Sequence, residues 1–261
     1  MEADWCRPRC DHPGLSVAKR RAVLSSSARE NGAFTSPSRL EHQPVPDDDP
    51  TRILAGDAPT VARTLLGWSL TSEAVTIRLT EVEAYAGVGA DPASHAHRGR
   101  TARNATMFGG PGLAYVYFVF GMHWCLNVVC GPPGTAAAVL LRAGEVTRGR
   151  AAARARRDAG PSGAGRRPDS GRRGRHVPDR DLARGPARLT RALGIDGHAD
   201  GTRLLDGSGP VVLAPPAGPV PDAAVRSGPR VGVAAAADVP WRFWLPAESS
   251  VSAYRRHRAP R

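Results

Sequence analysis

The sequence predicts an α+β fold: a single domain over residues 51–246, built from an antiparallel sheet with flanking helices. Three observations predict it. Residues 75–80 alternate apolar and polar side chains with a period of two. Residues 115–129, YVYFVFGMHWCLNVV, read as two strands joined by a turn. Helical stripes are confined to short segments after Asp57 and Pro186, with the strands outside them.

Residues 1–50 have little periodicity and end in QPVPDDDP, so a disordered extension is expected there. Asp57 caps the first helix, Pro59 suits its first turn, Gly67 stops it, and Val61, Leu65 and Leu66 form its buried stripe. In AVTIRLTEVEAYAG, Val75, Ile77 and Leu79 form one face of a half-buried strand. Residues 86–112, with many Gly, His, Arg and Asn, should be mostly loop with one short helix near Asn104. The aromatic stretch then forms a hairpin. Gly121 and Met122 suit a two-residue type II′ turn, with Phe120 beside the tip. A ring placed there is either buried or offered to something flat; periodicity alone favours burial.

TAAAVLLRAGEV reads as a buried strand. Residues 148–180 are expected to be a flexible Arg-rich insertion within the domain. Pro186 then opens a helix that buries Leu189 and Leu193. Short strands are expected near RLL, VVL, PRVGV and RFWL, and residues 247–261 form a basic tail.

The chain carries a formal net charge of +12 over 261 residues, and a basic surface attracts phosphate backbones or anionic lipid. Residues 151–191 contribute 12 Arg against four Asp, or +8 of that total. Cys6 and Cys10, in CRPRCDH, lack a second ligand pair, so no metal is expected; Cys125 and Cys130 read as buried thiols. No signal peptide and no apolar run of about 18 residues is present, so the expectation is a cytoplasmic, nucleoid-associated protein with no membrane contact.

Glu81 and Glu83 should share the face of Val75, Ile77 and Leu79 in an ideal strand. Two carboxylates there are either a catalytic site or a solvated strand end, and spacing does not choose between them. His95 and His97 lie in the loop DPASHAHRGR, where a surface histidine is the ordinary case. Phosphate-binding glycine loops and G-x-S-x-G are absent, and Lys19, the only lysine, lies in the first 50 residues.

Eight segments occur in the order of one known family. VARTLLGW, TEVEAYAG, DPASHAHRGRTARNATMFGGPG, YVYFVFGMHWCLNVV, VLLRAGE, ARGPARLTRALGI and PRVGV, followed by PWRFWL, together resemble the alkyladenine (3-methyladenine, or methylpurine) DNA glycosylases over about residues 52–246. The resemblance implies a curved antiparallel sheet, flanking helices and a protruding hairpin that inserts into DNA. It implies a monofunctional hydrolase of the 3-methyladenine DNA glycosylase II type. Such an enzyme flips alkylated or deaminated purines (3-methyladenine, hypoxanthine, ethenoadenine) from duplex DNA. It then hydrolyses the N-glycosidic bond without a cofactor, as a monomer, and leaves an abasic site.

Residue by residue, Glu83 matches the family's general base, and Arg142 and the main-chain carbonyl of Val231 match groups that hold the water. Tyr85, His95 and Tyr117 match the walls of the base pocket, with His97 as a second candidate for His95. Asn127 matches a residue that disfavours the guanine amine. Phe120 and Met122 match the tip that enters the minor groove, Phe120 replacing the family's usual tyrosine. Without a lysine in the folded region, no Schiff base and no AP-lyase step is expected. One tension remains: a two-residue Gly121-Met122 turn would point Tyr117 and Asn127 to opposite faces. The other readings are a non-catalytic nucleic-acid-binding module on the same fold and a carbohydrate hydrolase using Glu81 and Glu83, whose shared strand suits that reaction poorly.

Overall fold

The computed structural model describes residues 49–159 and 177–256. The expectations for residues 1–48, including Cys6, Cys10 and Lys19, and for residues 160–176 and 257–261, lie outside the described residues.

Two short helices open the fold. Asp49 caps α1 (Pro50–Leu54) through the Thr51 amide. Asp57 caps α2 (Ala58–Thr64) through the Thr60 amide, and both helices carry proline in the first turn, where no N–H is needed. The strands are β1 (Ser69–Thr71), β2 (Thr76–Tyr85), β3 (Ala114–Val119), β4 (His123–Cys130), β5 (Ala137–Arg148), β6 (Val212–Ala214), β7 (Arg226–Gly228) and β8 (Arg242–Trp244). They form one curved antiparallel sheet in the order β3-β4-β5-β2-β1-β6, and β8 joins β2 beyond the end of β1, with β7 outside it. A seven-residue 3₁₀ helix, Ala102–Phe108, lies in the loop before β3, where a short helix is expected. PRVGV is not a strand; the pairing moves upstream to β7, and RLL contributes only the bridge Leu113–Arg203.

The Arg-rich stretch differs from its expectation. Residues 150–158 form helix α3 (Arg150–Asp158), with Ala153 fully buried and the arginine stems around it. Helix α4 (Pro186–Leu193) follows and buries Leu189 and Leu193. One sheet face packs on α2 and α4 through Val61, Leu65, Leu66, Ile77, Leu79, Leu126, Val139, Leu141, Leu189 and Leu193. Burying each such chain stabilises the fold by roughly 1.5–3 kcal/mol. A smaller cluster of Ala96, Met107, Tyr115, Val129, Ala136 and Ala138 covers part of the other face. No helix among the described residues is long and apolar enough to cross a membrane.

The pairing of β2 with β5 contains two irregularities that offset each other. Leu79 faces Gly144, Glu81 faces Ala143, and Val82 faces Leu141, so Thr80 is extra on one strand and Arg142 on the other. Gly144 permits the close approach: a Cβ there would lie 2.3 Å from the Ile77 side chain. The effect is to exchange faces in mid-strand. Ile77 and Leu79 enter the main core from the first half of β2, while Val82 and Ala84 enter it from the second. Glu83 and Tyr85 therefore point to the opposite side from Val75, Ile77 and Leu79, correcting the ideal-strand expectation.

The hairpin corrects a second expectation. Val119 pairs with His123, which leaves three residues, Phe120, Gly121 and Met122, between the strands. The Met122 amide donates to the Val119 carbonyl (3.0 Å), and both central residues have positive φ, 52° and 64°, as a type I′ turn requires. For phenylalanine that conformation costs about 1 kcal/mol. Phe120 is not buried; it is 87% exposed.

Candidate active site

The three-residue loop sets the register that builds the site. Tyr115 pairs with Asn127, Asn127 with Leu140, and Leu140 with Glu83, so one row crosses β3, β4, β5 and β2. Tyr117 pairs with Cys125, two residues along the same strands, and thus shares the face of Asn127. The tension between Tyr117 and Asn127 comes from assuming a two-residue turn, and the longer loop removes it.

Glu83 is fully buried. One carboxylate oxygen accepts the Val231 amide at 2.7 Å, and the other accepts the Tyr85 hydroxyl at 2.9 Å. The second oxygen also lies 3.3 Å from Arg142 Nη1. These partners hold the carboxylate in one orientation, while the oxygen that meets the Val231 amide, with one donor, keeps capacity for another. The structure joins Val231 to Glu83 through its N–H. Arg142 is buried, and its guanidinium spans both carboxylates, with Nε 2.9 Å from Glu81. Burial works against the Arg142 charge, but Glu83 and Glu81 outweigh it and hold the group well above its ordinary pKa.

Glu81 is a buried anchor, not a solvated strand end. It accepts from Arg142 Nε, Arg242 Nε (2.7 Å), the Ser252 amide (2.7 Å) and the Ser252 hydroxyl (2.8 Å). Burial pushes its pKa up, but Arg142, Arg242 and Ser252 prevail and the net shift is downward from 4.5. A lowered folded pKa gives stability that is present above 4.5 and lost as pH falls through the folded value. Replacing Glu81 by Gln is therefore expected to destabilise the protein at pH 7, with the deficit shrinking below about pH 4.5. Urea unfolding from pH 3.5 to 7 checks this; a pH-independent deficit would refute the linkage.

The second group of site residues lies along β3. His95 Nδ1 is 3.0 Å from the Tyr115 hydroxyl, and its ring meets Tyr117 edge-on at 4.5 Å between centroids. Partial burial and Arg103 lower the His95 pKa, so the ring is neutral at physiological pH. Asn104 fixes this loop by donating to the His95 and Gly99 carbonyls at 2.9 and 3.0 Å. His97 makes none of these contacts; its Nδ1 is buried without a hydrogen-bond partner. Burial keeps the Tyr117 phenol protonated and pushes Tyr115 up to about 12. Asn127 is buried and donates to the Tyr115 carbonyl at 2.9 Å, which fixes its amide against the same wall. Phe120 and Met122 do not join this group; both are exposed at the hairpin tip.

Four residues to which the sequence reading gives no role hold the site together. Arg230 is fully buried and forms a bidentate pair with Asp91 (2.6 and 2.9 Å) while donating to the Ala84 carbonyl (3.0 Å). Its guanidinium stacks between Tyr85 and Trp241, at 4.7 and 5.3 Å. Asp91 in turn accepts from the Ala86 and Ala93 amides, at 3.3 and 3.0 Å. Arg242 and Ser252 saturate Glu81, and Ser252 belongs to the stretch expected to be only a basic tail. The arrangement is a buried, oriented carboxylate beside a wall of aromatic rings. It is suited to taking a proton from a small molecule next to a flat ligand.

The family model for methylpurine-DNA glycosylase matches residues 52–249. A Nocardia farcinica protein is 52% identical over 212 residues, covering 79% of this chain and 92% of its own length. A Frankia casuarinae protein is 49% identical over 210 residues (77% and 90%), and one from Leifsonia xyli is 50% identical over 209 (76% and 89%). All three are provisionally named 3-methyladenine DNA glycosylase. With the sheet and site in place, the matched span contains every residue from Glu81 to Arg242 described above, and the chain belongs to the methylpurine-DNA glycosylase family of DNA-repair hydrolases.

Proposed function

We propose that the protein is a monofunctional, monomeric glycosylase that excises alkylated or deaminated purines, such as 3-methyladenine, hypoxanthine and ethenoadenine, from duplex DNA. The observation that carries this reading is the Glu83 carboxylate, buried, triply held and adjacent to the Tyr85 and Tyr117 rings.

The flipped purine stacks against Tyr85, Tyr117 and His95, which is worth roughly 1–3 kcal/mol per base. Glu83 accepts a proton from water as its oxygen bonds to the sugar C1′. The C1′–N bond breaks, its electron pair leaves with the base, and an abasic site remains. Negative charge on Glu83 also favours the cationic sugar of the transition state. Arg142 Nη1, 3.3 Å from Glu83, sets a fixed positive charge beside the carboxylate and helps to hold it in place. The Asn127 amide, fixed by Tyr115, stands where extra bulk on a purine would clash. No lysine occurs in residues 49–256, so no lysine amine competes with water at C1′.

The test is release of free base from duplexes carrying each lesion. Release from at least one is expected; tight binding without release from any would leave the non-catalytic module as the better reading. Phe120 supports the DNA reading as well, since a strained, solvent-exposed ring gains by entering a base stack. Phe120→Ala should speed return of the flipped base by about tenfold or more, which corresponds to losing roughly 1–3 kcal/mol of stacking. Stopped-flow fluorescence of ethenoadenine reads this directly, and identical traces would exclude the wedge.

A further inference from the structure

The β3–β4 hairpin has two faces, and the site uses only one. The other carries Phe118 and Trp124, with ring centroids 4.6 Å apart. It borders a cleft of about 250 Å³ whose far wall is formed by α3 and α4. Arg156, Arg191 and His123 rim this cleft above Phe118, Trp124 and Ile195.

The charge there is not balanced. Of the neighbouring acids, Asp179 pairs with Arg150 and Arg154 and Asp181 with Arg184 and Arg188; Asp196 also lines the cleft, where it accepts from the His198 amide, and Asp158 acts on Arg157. Arg191 has no carboxylate within ion-pair distance among the described residues. Desolvation and Arg188 lower its pKa; desolvation, Arg188 and Arg191 lower that of Arg157. Arg156 caps α4 by donating to the Ala192 carbonyl at 2.9 Å. A helix-terminal role explains that one guanidinium. It does not explain Arg191, which lines the cleft with the exposed Phe118 ring and is close enough to Arg188 to be repelled by it.

We propose that this cleft holds backbone phosphates of the DNA strand opposite the flipped nucleotide. The inference rests on the glycosylase reading above. A hairpin entering a duplex presents one face to each strand. The Tyr117 face receives the base of one strand, so the Arg191 face meets the backbone of the other. Uncompensated guanidinium groups are the donors that phosphate oxygens favour.

The experiment uses the full chain as wild type, Arg191→Gln and Arg191→Lys, with lesion duplexes carrying a neutral methylphosphonate at single positions of either strand. Arg191→Gln should weaken binding and reduce the slope of log K against log salt by about one. Single-turnover release at saturating enzyme should be unchanged, and Arg191→Lys should restore the slope, which a folding defect would not allow. One methylphosphonate in the strand opposite the lesion should weaken the wild type but not Arg191→Gln. An unchanged slope for Arg191→Gln, or coupling only to phosphates of the lesion strand, would overturn the proposal. Failure of the wild type itself to release any base would instead defeat the glycosylase reading.

Discussion

Glu83→Gln is expected to lower single-turnover base release by at least about 10²–10⁴-fold, the range typical of a general base. Its folding should change little by comparison. The glutamine keeps the volume, and its carbonyl can still accept the Val231 amide or the Tyr85 hydroxyl. Arg142 retains Glu81 as a counter-charge, so no guanidinium is left alone in the interior. Affinity for lesion duplex should persist, because the rings of Tyr85, His95 and Tyr117 are untouched. Single-turnover release at saturating enzyme, with fluorescence anisotropy for binding, separates these effects. Release by Glu83→Gln at the wild-type rate would refute the assigned base; loss of binding in parallel with release would point to a folding defect.

The largest stability effect is expected at Asp91. Asp91→Ala leaves Arg230 fully buried with no carboxylate, and breaking such a pair costs about 3–5 kcal/mol. For a chain of this size, that corresponds to a fall in Tm of roughly 10 °C or more. The double variant Asp91→Leu/Arg230→Met removes both charges and should recover most of the loss, since apolar replacement of a buried pair is often neutral. Recovery of Tm should not restore activity. Arg230 precedes Val231, whose amide orients Glu83, and Asp91 anchors the loop that carries His95. Thermal unfolding and single-turnover release, measured together on single and double variants, test this. Recovery of both would make the pair purely structural.

Element types were legible in the sequence because they depend on local signals. Alternation over residues 75–80 marks β2, and Asp57 with Pro59 marks α2. The aromatic run could not fail to be strand, but its turn was misread, because positive φ is rarely adopted by phenylalanine and the Gly121-Met122 pair offered a cheaper geometry. Helix α3 was hidden because arginine-rich composition resembles disorder, while the helix gains its stability by packing Ala153 and hydrogen-bonding its guanidiniums to residues 177–192. The site was legible only as a set of names. What orients Glu83 comes from Val231, 148 residues away, and what saturates Glu81 comes from Ser252, 171 residues away. No window along the chain contains both ends of such contacts.

The offsetting irregularities at Thr80 and Arg142 also bear on how the chain tolerates change in length. Each strand carries one surplus residue, and the two surpluses cancel, so pairing on both sides follows a single count. The inward and outward sequence, however, is read in two phases. A β2 and β5 pair shortened by one residue each at this point would keep all its outer partners and still fold as a ladder. It would also leave Val82 in the core and Glu83 on the opposite face, because without the surplus residues plain alternation already gives that order; what it would lose is the Arg142 guanidinium between the two carboxylates. The surplus residue on β5 thus supplies a charge and not a register: the sheet would hardly notice its removal, while the two buried carboxylates would lose the cation they share.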